Sequence, residues 1–376
     1  MEKKYIVIGS GILGASTAYH LAKAGAEVTV VDRRDPGQAT DAAAGIICPW
    51  LTKRKNKAWY RLAKAGAKYY PALVEELRAD GEQETGYKRV GALRLHTEEE
   101  KLDEMMERAL ERREDAPEMG EITRLSPSET QAMYPPVAEE YGAVHMSGAA
   151  RVDGRALRDA LVKAAKRKGA VFLKGNASLI VKGQQITGVK TEKEKLEADQ
   201  VIVAAGAWAK EIVEPLGVNF LVHPQKAQIV HLELPATETG DWPVVMPPTN
   251  KYLLSFDQGR VIVGATHETK EKFDSRITAG GIHEILAKVL AVAPGLARGT
   301  MLEARVGFRP FTPESLPVFG EIPNFEGVLA ANGLGASGLT TGPFIGAELA
   351  RIALGKDTEL HKEDYKIEHA LPKENK

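Results

Sequence analysis

The apolar positions of the first thirty residues fall into two periods. Tyr5 to Ile8 is a short run rich in β-branched residues, long enough for one buried strand. Gly9-Ser10-Gly11-Ile12-Leu13-Gly14 follows at once, and Ala15 to Ala24 then carries apolar residues at helical spacing. Gly25 stands where a helix ends. Val28 to Val31 is a second buried run, closed by Asp32. Further on, Lys57 to Arg78 reads as an amphipathic helix and Val90 to His96 as a strand. Glu98 to Glu114 reads as a helix whose charges a solvated face explains. Arg124 to Pro136 reads as a loop, punctuated by Pro127 and Pro135-Pro136.

Asp153 suits the N-cap of a helix over Arg155 to Lys168. Val171 to Leu173, Leu179 to Val181 and Ile186 to Thr191 read as short strands. Val201 to Trp208 repeats the strand and glycine turn of the N-terminus, and is expected to rejoin the first sheet. From Phe220 to Phe311 the texture changes. Ala227 to Leu234, Lys251 to Phe256, Arg260 to Ala265 and Met301 to Phe308 alternate as in an antiparallel sheet with one covered face. Gly280 to Val292 is the intervening helix. Gly327 to Gly342 is a strand, a loop with closely spaced glycines and the start of a helix reaching about Leu354. The charged tail beyond Lys356 is expected to fray.

Composition narrows the class. The 376 residues suggest two domains, and 43% hydrophobic content fills a sizeable core. Fifty basic against 51 acidic residues leave a net charge of −1, which gives no case for a nucleic-acid partner or an anionic membrane. The single cysteine, Cys48, excludes an internal disulfide and suits a reducing cytoplasm, where we expect the protein. No apolar stretch is long enough to expect a transmembrane segment. The histidines show no metal-ligand spacing, so no metal is expected. A homo-oligomer is left open.

Strand, glycine turn, helix, strand and acid in this order are a dinucleotide signature. Gly9 permits the tight turn, Gly11 admits a pyrophosphate to the backbone, and Gly14 lets helix and strand pack closely. The helix N-terminus offers amides and a positive dipole end to phosphates. Asp32 lies where a carboxylate accepts bonds from ribose hydroxyls, which favours FAD or NAD over NADP. Ala42-Ala43-Ala44-Gly45 either starts an alanine-rich helix or lets backbone approach a flat ligand. The second glycine-rich turn near the C-terminus suits a long cofactor held at both ends, hence FAD rather than NAD.

Together these pieces resemble the FAD-dependent D-amino-acid oxidase family, and within it glycine oxidase, sarcosine oxidase and D-amino-acid dehydrogenase. The resemblance rests on Gly9 to Gly14 with Asp32, Thr40 to Ile46, Ala204 to Trp208, Gly264-Ala265-Thr266, Gly307-Phe308-Arg309-Pro310 and Asn332 to Gly342. It implies an α/β fold: a Rossmann-like FAD-binding domain (1–85, 145–215, 312–365), a substrate domain on a mostly antiparallel sheet (86–144, 216–311), and a charged tail (366–376). It implies FAD contacts from Gly9, Gly11, Ile12, Leu13, Gly14, Asp32 and Arg33, and from Thr40, Ala43, Ala44, Gly45 and Ile46. It adds Ala177, Ala205, Gly206 and Trp208, and the run Gly335, Ala336, Ser337, Gly338, Leu339 and Thr340. The cofactor is expected to be non-covalent, because Cys48 lies away from the C-terminal attachment cysteine of sarcosine oxidase-like members.

The resemblance also implies that Arg309 binds a substrate carboxylate and that Tyr252, His267 and Ile46 line the substrate pocket. The alternatives are that Arg309 forms a structural salt bridge within the sheet, that Tyr252 is an ordinary strand aromatic, and that His267 is a surface or satisfied residue. The implied reaction is hydride transfer from a small amino acid (glycine, sarcosine or a small D-amino acid) to flavin. The resulting imine hydrolyses to an oxo acid and ammonia or an amine. Oxygen or another acceptor, such as a quinone for a dehydrogenase, then takes the electrons. Two other readings stay open: an NAD-dependent dehydrogenase, and a flavin-binding subunit without turnover.

Overall fold

The computed structural model describes residues 3–52, 54–270 and 272–373. The remaining positions, including the end of the 366–376 tail, lie outside the described residues. The first sheet has six strands in the order Val318–Glu321, Val328–Asn332, Gln200–Val203, Lys4–Ile8, Glu27–Asp32, Val171–Lys174. All neighbours are parallel except Val318–Glu321 against Val328–Asn332. Lys4–Ile8 lies at its centre and is buried on both faces from Tyr5 onwards, as its unbroken apolar run requires. Helices Ile12–Lys23 and Gly338–Ala353 pack on one face. Their crossing is close because Gly346 faces Ser16, where an added Cβ would lie 2.6 Å from that side chain. Ser16 Oγ also donates to Pro343 O at 2.7 Å. Helix Lys57–Ala79 covers the second of these, and Gly66 meets the backbone of Thr340 there.

The second large sheet has eight strands, ordered Thr300–Phe311, His223–Glu233, Arg260–Gly264, Tyr252–Ser255, Val244–Met246, Ala92–His96, Gly142–Met146, Ile122–Leu125. It is antiparallel except where Val244–Met246 runs parallel to Ala92–His96. Both of its faces are buried, not one. Leu93, Leu95, Val245 and Val263 form a core with helix Ala279–Val292, while Ala92, Val144, Ala227 and Leu254 join the core of the first sheet. A small antiparallel sheet, Ser178–Lys182, Gln185–Lys190 and Lys195–Glu197, packs against the first through Ile186 and Val189. The N-cap at Asp153 is present: its side chain accepts from Arg155 N and Ala156 N at 3.0 and 3.1 Å.

Two further expectations are corrected, and one of two open readings is removed. Arg124 to Pro136 is not a loop, because Pro127–Met133 is a helix. Its start carries a reciprocal capping box between Ser126 and Glu129, and Pro127 occupies the first turn, where its missing N–H costs nothing. The tail after Lys356 does not fray through its described length: Tyr365, Ile367 and Ala370 are buried. Tyr365 donates to Ala58 O at 2.8 Å and stacks on Phe319. Ala39–Ala42 is one 3-10 turn followed by extended chain, not the start of an alanine helix.

Candidate active site

At the carboxyl ends of the central strands the two glycine turns meet. Gly9 has φ +103°, and a Cβ there would lie 2.5 Å from Ala204 O, so only glycine fits. Gly11, the N-cap of helix Ile12–Lys23, brings no side-chain cap, and the first turn holds no acid. Ile12 N donates to Thr40 Oγ1 at 3.0 Å. The helix therefore presents its positive end beside the Thr40 to Ile46 segment. The second helix behaves alike: no side chain caps Gly338–Ala353, and Gly342 approaches Ile12 so closely that a Cβ would lie 3.0 Å from its Cγ2. Two helix N-termini, neither capped by its own N-cap side chain, thus converge. Thr340 Oγ1 donates to Ile46 O at 3.0 Å and fixes the second turn to the segment before Cys48.

A cavity of about 710 Å³ runs from these turns to the eight-stranded sheet. Gly9, Gly11, Ile12, Leu13, Asp32, Arg33 and Ala177 line one end, with Ala205, Gly206 and Trp208 beside them. Thr40, Ala43, Ala44, Gly45 and Ile46 line the middle, together with the run from Gly335 to Thr340. Gly14 does not reach the cavity. A Cβ on it would lie 2.0 Å from Gly9 O, so it serves the packing of helix on strand. Asp32 is buried, and accepts from Ser10 N at 2.5 Å, Ser10 Oγ at 2.8 Å and Gln38 Nε2 at 3.0 Å.

Arg309, Tyr252 and His267 line the other end. The strand carrying Arg309 is pinned to the Gly37 to Ala42 loop: Phe308 N donates to Gly37 O at 2.9 Å, and Arg305 Nη1 to Asp41 O at 3.2 Å. Gly307 permits this approach, since a Cβ would lie 2.9 Å from that of Ala42. Arg309 Nη1 stands 3.3 Å from His267 Nδ1 and 3.5 Å from Gln225 Oε1. The charge of Arg309 also acts on the Tyr252 phenol, opposing the effect of burial. None of these partners is a carboxylate. Desolvation by the cavity wall, and then the charge of Arg309, lower the pKa of His267, although its ring is open to the cavity. His267 is therefore neutral at physiological pH and accepts from Arg309. Burial raises the Tyr252 pKa, so its phenol keeps its proton. Gly264 leaves room for that phenol, because a Cβ would lie 3.0 Å from its oxygen.

Cavity residues that the chain pattern did not single out include Arg54, Trp59, Arg94 and Asn250. Arg54 stacks on Trp59, with its guanidinium 4.5 Å from the ring centroid. Cys48 also faces the cavity, and burial pushes its thiol up to about 12, so it is not a thiolate. Arg94 is a cation in the middle of a strand whose flanking residues, Leu93 and Leu95, are fully buried.

Against known proteins, residues 4–352 match the family model described as FAD dependent oxidoreductase. The chain belongs to this family, the D-amino-acid oxidase group. It uses FAD as its cofactor and is an oxidoreductase. It is 61% identical over 370 residues to the uncharacterized oxidoreductase YurR of Bacillus subtilis (strain 168), covering 98% of this chain and all of that one. It superposes with a TM-score of 0.94 and 45% identity on iminodiacetate oxidase from Chelativorans sp. BNC1, over 96% and 98% of the two chains. Glycine oxidase from Geobacillus kaustophilus gives a TM-score of 0.86 at 26% identity, over 97% and 98%. The cavity fits the cofactor: it joins two uncapped helix ends to a buried acid at one end and a substrate-sized polar cluster at the other. No helix among the described residues is long and apolar enough to cross a membrane, and no group of metal-ligating side chains occurs among them.

Proposed function

We propose that this flavoprotein oxidises a small amino acid whose carboxylate rests on Arg309, with FAD held non-covalently along the cavity. The observation that carries the reading is Arg309 itself: a guanidinium in the same cavity as both glycine turns, surrounded by neutral Tyr252, His267 and Gln225. A planar guanidinium without an acidic partner suits a carboxylate fork. The printed name of the 45%-identical relative, iminodiacetate oxidase, favours an N-substituted glycine over glycine itself. FAD, when bound, supplies the hydride acceptor for oxidation of the carbon beside the amine.

The chain's own residues would position and neutralise. Arg309 fixes the carboxylate and so the place of the adjacent C–H. Tyr252, kept protonated, donates a hydrogen bond into the same space. His267, kept neutral, accepts from Arg309 and sets its orientation. The uncapped amides of helix Gly338–Ala353 favour negative charge at the middle of the cavity. The Gly9 turn, Asp32 and Ala177 would hold the adenosine half. The test is anaerobic bleaching of the visible flavin band by sarcosine, glycine and N-alkylglycines. Bleaching within the mixing experiment is the expected result. A fully FAD-loaded protein that none of these acids reduces would overturn the reading.

A further inference from the structure

The cavity carries more positive charge than one amino-acid carboxylate uses. Its lining holds two carboxylates, Asp32 and Asp35, and both lie at the nucleotide end, where Asp35 pairs with Arg33 at 2.7 Å. The rest of the lining holds three arginines, Arg309, Arg94 and Arg54, and among the described residues no acid. A zwitterion bound to Arg309 would leave Arg94 and Arg54 without a counter-charge.

Arg94 is the more demanding of the two. It lies half-buried within the strand Ala92–His96, and no hydrogen bond or ion pair satisfies it among the described residues. Burial lowers its pKa, and the charge of Arg108 acts in the same direction. Keeping a cation there without a partner is costly, which is the mark of a ligand site rather than of decoration. The sheet register also places it. Met246 pairs with Arg94, and Val245 pairs with both Leu93 and Leu253. Arg94, Met246 and Tyr252 therefore form one rank across three adjacent strands. Strands two apart stand about 10 Å from each other, and the charge of Arg309 acts on the Tyr252 phenol. Arg94 thus lies on the same face of the sheet as the phenol, and both arginines line the same cavity.

We propose that Arg94 is a second carboxylate-binding point, so that the preferred substrate is a dianionic amino acid bearing one carboxylate on each side of its amine-bearing carbon or nitrogen. Arg54, stacked on Trp59 in the same lining, adds attraction for the second negative charge. The inference rests on the amine-oxidation reading above and deepens it from a small amino acid to a dicarboxylate.

The test compares two unreactive ligands of the holoenzyme by perturbation of the flavin spectrum. Thiodiacetate has two carboxylates about a central sulfur, and methylthioacetate has one. Thiodiacetate should bind the parent at least tenfold more tightly. Arg94→Gln should weaken thiodiacetate by about 10- to 100-fold and methylthioacetate by less than threefold, with the melting temperature little changed because no protein contact is lost. Arg94→Lys should recover part of the affinity. Equal binding of the two ligands by the parent, equal weakening of both by Arg94→Gln, release of FAD from that variant, or no binding of either ligand would overturn the proposal. Failure of the oxidation reading looks different: selective, Arg94-dependent binding of thiodiacetate with no flavin reduction by any amino acid.

Discussion

Replacing Arg309 with leucine tests the centre of the functional reading. The side chain stands 3.3 Å from His267 Nδ1 and 3.5 Å from Gln225 Oε1, and its charge acts on the Tyr252 phenol. All three are neutral, so the fold itself loses no ion pair. What is lost is the partner of a substrate carboxylate. A fork of two charge-assisted bonds at about 1.5–3 kcal/mol each sets the scale. Because the cavity is open to water, about 2–5 kcal/mol is the expected net loss, the range for truncating one member of a close charge pair. At about 1.4 kcal/mol per decade this is roughly 30- to several-thousand-fold in flavin reduction at sub-saturating substrate. The assay is anaerobic stopped-flow reduction by sarcosine and its N-substituted analogues. A second readout comes from His267. Removing the Arg309 charge should raise its pKa part of the way towards the ordinary value, while desolvation, the larger cause, keeps it depressed. NMR titration of the ring reports this shift. Parent-like reduction by Arg309→Leu, together with an unmoved His267, would refute both the carboxylate role and the electrostatic coupling.

Asp32→Ala should weaken FAD by about tenfold or more, because it removes an acceptor of charge-assisted hydrogen bonds and frees the Ser10 amide that the carboxylate holds at 2.5 Å. Titration of the apoprotein checks it, and unchanged affinity would count against the adenosine end of the cavity. Acid precipitation should leave the yellow cofactor in the supernatant, whereas colour that stays with the pellet contradicts non-covalent binding. His231 is 1% exposed and its Nε2 has no hydrogen-bond partner, and burial followed by the Arg305 charge lowers its pKa to about 4. Protonation therefore favours the unfolded chain: the stabilisation is full above about pH 6.5 and is lost as pH falls towards 4, by roughly 3 kcal/mol at most. Denaturant titrations at pH 7 and 4.5 should show this loss, and His231→Gln should flatten it; an unaltered slope in the variant would remove His231 as the cause.

The cofactor end was readable because its determinants are local. The Tyr5 to Ile8 run, the three glycines and Asp32 follow one another in the chain, and each has a fixed place in a strand–turn–helix–strand unit. The strands of the second sheet were readable from alternation, but the burial of both faces was not, since it depends on where the other sheet stands. Arg94 escaped notice for the same reason. Its meaning comes from its rank with Met246 and Tyr252, and residues 94, 246 and 252 are brought together only by pairing across the sheet. The Pro127–Met133 helix was hidden differently. Pro127 reads as a breaker, although Ser126 and Glu129 around it form a helix start. In the tail, single residues decide: Tyr365 reaches Ala58 and Phe319 from a segment whose composition is otherwise that of a solvated end.

The strand order of the first sheet has a consequence for biosynthesis. Lys4–Ile8 leaves the ribosome before the other strands of its sheet, yet one of its two neighbours is Gln200–Val203, which itself pairs with Val328–Asn332. At about 5–20 residues per second, the first strand waits roughly 10–40 s for its middle partner, and the sheet waits longer for its last strands. The helix that closes the cavity, Gly338–Ala353, arrives later still. A nascent chain therefore exposes an apolar strand before it owns a complete FAD site, so cofactor capture waits until Gly338–Ala353 has emerged. Shortage of flavin should then show itself as loss of newly made protein rather than as accumulation of a stable, empty enzyme.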